Sequence, residues 1–318
     1  MKAITRNRNA EHVALSKPEQ DVLRVLLYFD VFGHPVNSNE IFTYFPSRVS
    51  SRAAIEGALE SLLTKSFIRR RRGYYFLKTA AQHCVGERME KQRRAVRRMT
   101  VAGLVARFIS FFPFVRAVMV SGELSKGVAG PESDIDFVVV AKDGRLWVTR
   151  TLLIAFKKLF LLNSKKYFCL NHFITESNLV VESRNFYSAL EMATLKPLVN
   201  RRLHAEYVTA NEWIREYFPN HGELTADGER TAPPLIRSFL EKLFPANFTD
   251  RAEEFLMARW QIVWNRRYAH LTEADRRHRF RCMPGISTAY GEDFQHRVLT
   301  KYAYRLQQYG LPPIGHAN

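Results

Sequence analysis

The stretch from Ser121 to Val140, SGELSKGVAGPESDIDFVVV, decides the fold of this chain. Residues 135–140 form a short run rich in apolar and β-branched side chains, which predicts a buried β-strand. Asp134 and Asp136 stand where this strand begins, and side chains two apart on a strand share a face at roughly 7 Å separation. Mg²⁺ is a hard cation that takes one or two carboxylates and leaves its other positions to water and phosphate oxygens. The two aspartates therefore form a candidate metal site.

The residues before this pair predict a place for phosphate. Residues 115–120 are apolar and predict the preceding strand, which ends at Ser121 and Gly122. A backbone without a Cβ atom can approach a phosphate closely, and the free N–H groups at the start of a following helix favour an anion. The candidate phosphate-binding residues are Ser121, Gly122, Glu123, Ser125, Lys126 and Ser133.

Residues 118–140 resemble the signature of the nucleotidyltransferase superfamily that includes DNA polymerase β. That signature is a Gly-Ser turn followed, further along the chain, by Asp-x-Asp on a strand. The resemblance implies a Mg²⁺-dependent enzyme that moves a nucleotidyl group from a nucleoside triphosphate to an acceptor, with Asp134 and Asp136 as catalytic residues and metal ligands. The alternative interpretation is that these two aspartates only cap a loop of an α/β domain.

The chain departs from the superfamily pattern at two positions. Glu123 stands where the superfamily has a serine, and a carboxylate close to a triphosphate repels it unless the carboxylate is metal-bound or turned away. The predicted strand 167–175 carries Asn171 where the superfamily places a third carboxylate; an asparagine can be a third metal ligand but not a general base. His172 is a candidate base, although a lone histidine on a strand is more often structural. A second hypothesis is therefore a catalytically degenerate core that senses nucleotide or binds DNA or a protein partner.

Residues 17–80 have the order of a winged helix-turn-helix domain. Helices are predicted at 18–28, 41–45 and 51–65, and a capping box at Asn37 to Glu40 precedes the second of them. Two short strands follow, with a basic tip at Arg69 to Arg72. Such a domain can place its third helix in a DNA groove and its wing on phosphates, or can serve only as a protein–protein module.

The remaining chain predicts an α+β class overall. Residues 81–220 would hold a nucleotidyltransferase core with a mixed sheet, preceded by a basic linker helix at 87–98 and a separate helix at 99–111. Residues 235–312 have a helical pattern. Several segments are similar to a bacterial family of uncharacterised nucleotidyltransferase-domain proteins with an N-terminal winged helix. These segments are 28–35, 73–77, 144–147 with Arg150, 211–213 and 217–220.

Composition adds a bias toward anionic partners. The chain has 318 residues and a net charge of +17. Such an excess of positive charge favours binding to nucleotides, nucleic acids or an anionic membrane surface. The alternative is a basic surface with no dedicated partner. The basic wing and the 88–98 stretch are the candidate nucleic-acid contacts, although a charge run such as 88–98 is more often a solvated helix face. The three cysteines show no metal-site spacing, residues 1–16 lack the apolar core of a signal peptide, and residues 152–162 are too short to span a bilayer. These features predict a cytoplasmic protein without a membrane segment, and they do not predict its oligomeric state.

Overall fold

Helices and two β-sheets make up the computed structural model, which describes residues 14–48, 51–222 and 235–312. The N-terminal elements are α1 (Lys17–Asp30), β1 (Val36–Asn37), α2 (Ser38–Thr43), α3 (Arg52–Thr64), β2 (Ile68–Arg71), β3 (Tyr74–Leu77) and α4 (Cys84–Ile109). The central elements are β4 (Val115–Val120), α5 (Gly122–Ser125), β5 (Asp136–Ala141), α6 (Leu146–Phe160), β6 (Cys169–Thr175), α7 (Phe186–Thr194), β7 (Lys196–Val199), α8 (Arg201–Thr209) and α9 (Ile214–Tyr217). The C-terminal elements are α10 (Leu235–Lys242), α11 (Ala246–Arg267), α12 (Glu273–Arg279), β8 (Cys282–Met283), β9 (Ile286–Thr288) and α13 (Phe294–Gln308).

The N-terminal unit combines three helices with a small antiparallel sheet of order β1-β3-β2. The predicted capping box is confirmed, because Asn37 Oδ1 accepts from the Glu40 N–H at 2.9 Å and Glu40 Oε2 accepts from the Asn37 N–H at 2.9 Å. The predicted basic tip is shorter than expected. Arg71 pairs with Tyr74, so only Arg72 and Gly73 form the turn, both with the positive φ that a two-residue hairpin turn requires. Membership of the winged-helix class stays a prediction.

The central sheet is mixed, as expected, with six strands in the order β7-β4-β5-β6-β9-β8. Its one parallel pair is β5 with β6, in which Asp136 lies beside Cys169. Strands β7, β8 and β9 were not predicted, since the sequence indicated a helix break at Pro197 and helices throughout the C-terminal region. That region is mainly helical, but its short hairpin adds β9 to the edge of β6. The domain boundaries at 80, 220 and 235 stay predictions.

Helix α4 differs from the prediction of a linker helix and a separate second helix. It runs for 26 residues without interruption, because no proline breaks it and its glycines lie in ordinary helical conformation. One face of the central sheet packs against α4 and α6, and the opposite face packs against α7 and α8. Alternation along β5 sends Phe137 and Val139 to the first face and Val138 and Val140 to the second. Asp136 therefore begins β5 on the α7 side.

No helix in the described ranges is long and apolar enough to cross a lipid bilayer. The apolar segment at 152–162 lies largely within α6 and ends beyond it. The cytoplasmic location stays a prediction.

Candidate functional site

A cleft of about 1010 Å³ lies at the start of β5. Its walls come from the N-terminal unit, the central sheet and the C-terminal region. The predicted site residues that line it are Ser121, Gly122, Glu123, Lys126, Ser133, Asp134, Asp136 and Asn171. Ser125 does not line the cleft: it is buried, and its hydroxyl donates to the Gly122 carbonyl at 2.9 Å. The structure thus brings the predicted residues together, with Ser125 stabilising the turn rather than facing a ligand.

The two aspartates flank a fully buried Ile135 and both face the cleft. Burial, together with the negative charges of Asp134 and Glu191, raises the pKa of Asp136 to about 6. The Cys169 thiol and the Lys126 ammonium act in the opposite direction but do not cancel this rise. At neutral pH the site therefore holds ionised carboxylates that repel each other and that a cation would stabilise.

The turn after β4 contacts the first residue of β5, and the backbone conformation at this point favours a glycine, Gly122. Its φ is +68°, in the left-handed region, and a Cβ atom placed on it would lie 2.7 Å from Asp136 Oδ2. The Ser121 N–H donates to the Asp136 carbonyl at 3.0 Å, which closes the turn onto β5. Because α5 has only four residues, the helix expected after this turn is a single turn. The feature that the turn contributes beside Asp136 is therefore this close backbone approach rather than a long helix.

Glu123 braces the loop that leads into the aspartate pair. Its Oε2 accepts from the Ser133 hydroxyl at 2.6 Å and from the Gly130 N–H at 3.1 Å. The Gly130 N–H also donates to Ser133 Oγ at 2.7 Å. The carboxylate is therefore occupied by loop donors, and the Ser133 hydroxyl is occupied by the carboxylate. These hydrogen bonds fix the position of Ser133, which directly precedes Asp134.

Two arginines of α4 hold the same loop from the other side. Arg98 is buried and donates to the carbonyls of Pro131, at 2.6 Å, and Ser133. Arg94 donates to the Ala129 carbonyl at 2.9 Å. The prediction that the 88–98 stretch faces a polyanion is wrong for Arg98 and for Arg88, which is also buried. Their charges are satisfied inside the protein, because buried guanidinium groups need acceptors.

Lys126 is paired rather than free. Its ammonium donates to the Gly122 carbonyl at 3.0 Å and to Glu191 Oε1 at 2.7 Å, where Glu191 belongs to α7. Glu191 lines the cleft and adds a third acid beside the two aspartates. Sequence reasoning missed it, since the acid comes from a helix rather than from the strand where the superfamily pattern places one.

Asn171 and His172 occupy the neighbouring strand. Asn171 is the extra residue of a bulge in β6, and its amide nitrogen donates to Cys169 Sγ at 2.9 Å. His172 Nδ1 lies 2.6 Å from the Tyr290 hydroxyl. Burial, with Arg281 and Arg150 nearby, lowers the pKa of His172 to about 4, which makes it a weak base at neutral pH. The structural interpretation of His172 is favoured.

The charge of the cleft is opposite in sign to that of the chain. Seven acidic and five basic side chains line it, although the chain as a whole carries +17. The acids are Glu123, Asp134, Asp136, Glu182, Glu191, Glu292 and Asp293. In the described part of the chain no three His, Cys, Asp or Glu side chains form a group that could hold a metal, so the candidate site remains the predicted pair of carboxylates.

Comparisons of the chain with protein-family models, with curated proteins and with solved structures found no match. The superfamily resemblance therefore depends on the sequence motif alone and stays a prediction.

We expect Asp136→Asn to stabilise the metal-free protein at pH 7.5. The folded-state pKa of about 6 exceeds the ordinary value of 3.8, so stability falls as pH rises between these values, and above pH 6 the ionised carboxylate costs up to about 3 kcal/mol. Thermal unfolding in a chelator should show the gain at pH 7.5 and little difference at pH 4.

Asp143→Asn is the control. Burial alone would raise the pKa of Asp143, but hydrogen bonds from Ser177 lower it. The Asp143→Asn variant should therefore lose stability at pH 7.5. Equal behaviour of the two variants would contradict the prediction.

We expect Glu123→Ser to weaken ligand binding in the cleft. The change removes the acceptor of two hydrogen bonds that hold residues 130–133, and it should lower Mg²⁺·nucleotide affinity about 3- to 10-fold in calorimetry. Glu123→Gln keeps an acceptor oxygen and should lose less. If Glu123→Ser instead raises affinity tenfold or more, the carboxylate repels the ligand and does not act as a brace.

Proposed function

We propose that this protein is a Mg²⁺-dependent nucleotidyltransferase that moves a nucleotidyl group from a nucleoside triphosphate to an acceptor hydroxyl or amine. The observation that carries the proposal is the pair Asp134 and Asp136 at the mouth of β5, with Gly122 packed directly against the second carboxylate. In this proposal residues 17–80 are a winged helix-turn-helix domain and residues 81–220 are the transferase core.

The residues present fit a bound Mg²⁺. The site offers two carboxylates, which are hard oxygen ligands, and the pKa of Asp136 is raised by burial and by the negative charges of Asp134 and Glu191, which a cation would offset. Asp134 and Asp136 would hold the metal, and Asn171 is a further candidate ligand through its carbonyl oxygen. When bound, the metal neutralises charge on the phosphates.

The chain's own residues would bind and orient the substrates. Ser121 and Gly122 line the cleft beside Asp136 and would contact the phosphate oxygens, and Lys126 supplies a positive charge at the same turn. Glu191 is the acid best placed to accept the acceptor's proton, because it faces the cleft and His172 is a weak base. Alignment of the reacting groups and the fixed charges around them would supply most of the rate enhancement.

A catalytically degenerate core is the second candidate function. Asn171 stands where the superfamily has a third carboxylate, and its amide nitrogen is bonded to Cys169. The arginines at 69–72 are exposed on β2 and its turn, where a nucleic acid or a protein partner has access to them. This candidate predicts nucleotide binding without pyrophosphate release.

We expect Asp134→Ala and Asp136→Ala each to abolish Mg²⁺-dependent nucleotide binding without unfolding the protein. Each change removes half of the carboxylate pair, and the remaining acid is relieved of repulsion. Calorimetry with each of the four nucleoside triphosphates measures binding, and pyrophosphate release against water and a panel of hydroxyl and amine acceptors measures transfer. Wild-type binding by the double variant would refute the metal site, and binding by the wild type without any pyrophosphate release would favour the degenerate core.

We expect Glu191→Gln to raise nucleotide affinity and lower turnover. Removing the acid frees Lys126 for phosphate and should tighten binding about threefold, an effect of under 1 kcal/mol for a partly exposed pair. Loss of the proton acceptor should slow pyrophosphate release about 10²-fold or more. Glu182→Gln removes another cleft acid, one bonded to Arg281, and should change neither value more than twofold. If Glu191→Gln changes the nucleotide affinity and the rate of pyrophosphate release by the same factor and in the same direction, Glu191 does not act as the base.

A further inference from the structure

The N-terminal unit forms part of the cleft wall. Phe29, Phe32 and His34 line the cleft together with Lys91 of α4 and Lys126, which directly follows α5. The ring of His34 stacks on Phe29, with ring centroids 5.2 Å apart and planes at 29°. A unit expected to serve only DNA or a protein partner thus contributes side chains to the same cleft as the aspartate pair.

The ring of His34 is held in one tautomer. Arg88 Nη1 lies 2.7 Å from His34 Nδ1, and a guanidinium can only donate, so Nδ1 accepts and the ring proton is on Nε2. Arg88 Nη2 donates to Glu40 Oε1 at 2.6 Å, and Glu40 is itself fixed by the capping box of α2. Burial and the nearby cations Arg88, Lys126 and Lys91 lower the pKa of His34 well below its ordinary value, which keeps the ring neutral. His34 therefore offers a fixed Nε2–H donor that is not a charge.

The surroundings of this donor suit an anion. Among the described residues Lys91 has no ion pair with a carboxylate, and the hydrogen bond found at the His34 ring is at Nδ1 and not at Nε2. Lys126 reaches the Gly122 carbonyl, so this end of the cleft adjoins the turn beside Asp136. His34 and Lys91 supply N–H donors, and the Lys126 ammonium, although already bonded to Gly122 and Glu191, adds positive charge, so the three side chains match the oxygens of a polyphosphate chain.

We propose that His34, Lys91 and Lys126 form a subsite for the terminal phosphates of a polyphosphate ligand. The identity of that ligand as a nucleoside triphosphate rests on the proposed function, whereas the subsite rests on the donors themselves. The N-terminal unit is then a working part of the ligand site and not an independent module.

Calorimetry with two kinds of probe tests the subsite. The probes are Mg²⁺ with inorganic tripolyphosphate, and Mg²⁺ with each nucleoside triphosphate or monophosphate. We expect His34→Leu to weaken tripolyphosphate and triphosphate binding about 10- to 100-fold, and monophosphate binding less than twofold. His34→Gln restores an N–H donor and should recover most of the affinity. His83→Leu is the matched control, since His83 is exposed and paired with Glu87, and it should bind as wild type does.

The outcomes separate this inference from the proposed function. If His34→Leu does not fold, Lys91→Met tests the same subsite, because the Lys91 side chain has no described ion pair. Triphosphate binding that neither variant weakens overturns the subsite and leaves the transferase proposal intact. Tripolyphosphate binding that depends on His34, without nucleotide binding, supports the subsite and overturns the transferase proposal. A wild-type protein that binds neither probe overturns both.

Discussion

The close approach of Gly122 to Asp136 is the constraint on which the candidate site depends. A side chain at position 122 would need a left-handed backbone and would place its Cβ 2.7 Å from Asp136 Oδ2. The pairing of Val120 with Phe137 and the bond from the Ser121 N–H to the Asp136 carbonyl fix this approach. The turn after β4 is therefore held against the head of β5, and the Asp136 carboxylate lies directly beside its backbone.

Helix α4 connects this site to the N-terminal unit. Near its start Arg88 bonds Glu40 and His34, and ten residues later Arg98 bonds the loop that carries Asp134. Arg88 is buried and Glu40 is partly buried, so removing Glu40 would leave a buried guanidinium without its carboxylate, and the pair therefore ties the N-terminal unit to α4. A displacement of α4 would move the N-terminal wall and the aspartate loop together. One uninterrupted helix thus links two regions that the sequence placed in separate domains.

The sequence was sufficient for features set by local pattern. Strands β4 and β5 and the capping box at Asn37 follow from periodicity and short-range hydrogen bonds, and Asp134, which precedes β5, lines the same cleft as Asp136. Strands β7 and β9 did not follow, because strands of three or four residues form only when a distant edge accepts them. The inward direction of Arg98 and the arrival of Glu191 also depend on partners far away in the chain. Long-range contacts therefore account for most of what the sequence could not predict.

Electrostatics argues against a purely structural role for the aspartate pair. Burial, and after it the charges of Asp134 and Glu191, raises the pKa of Asp136. An asparagine at 136 would carry no charge to bury, so the carboxylate reduces the stability of the metal-free fold. Acids also outnumber bases in the cleft, whereas bases exceed acids by 17 in the whole chain. A loop cap needs only hydrogen-bond acceptors, which a neutral amide supplies. In the proposed function a divalent cation would balance this concentrated negative charge, and His34 and Lys91, which line the same cleft, would hold the anionic ligand.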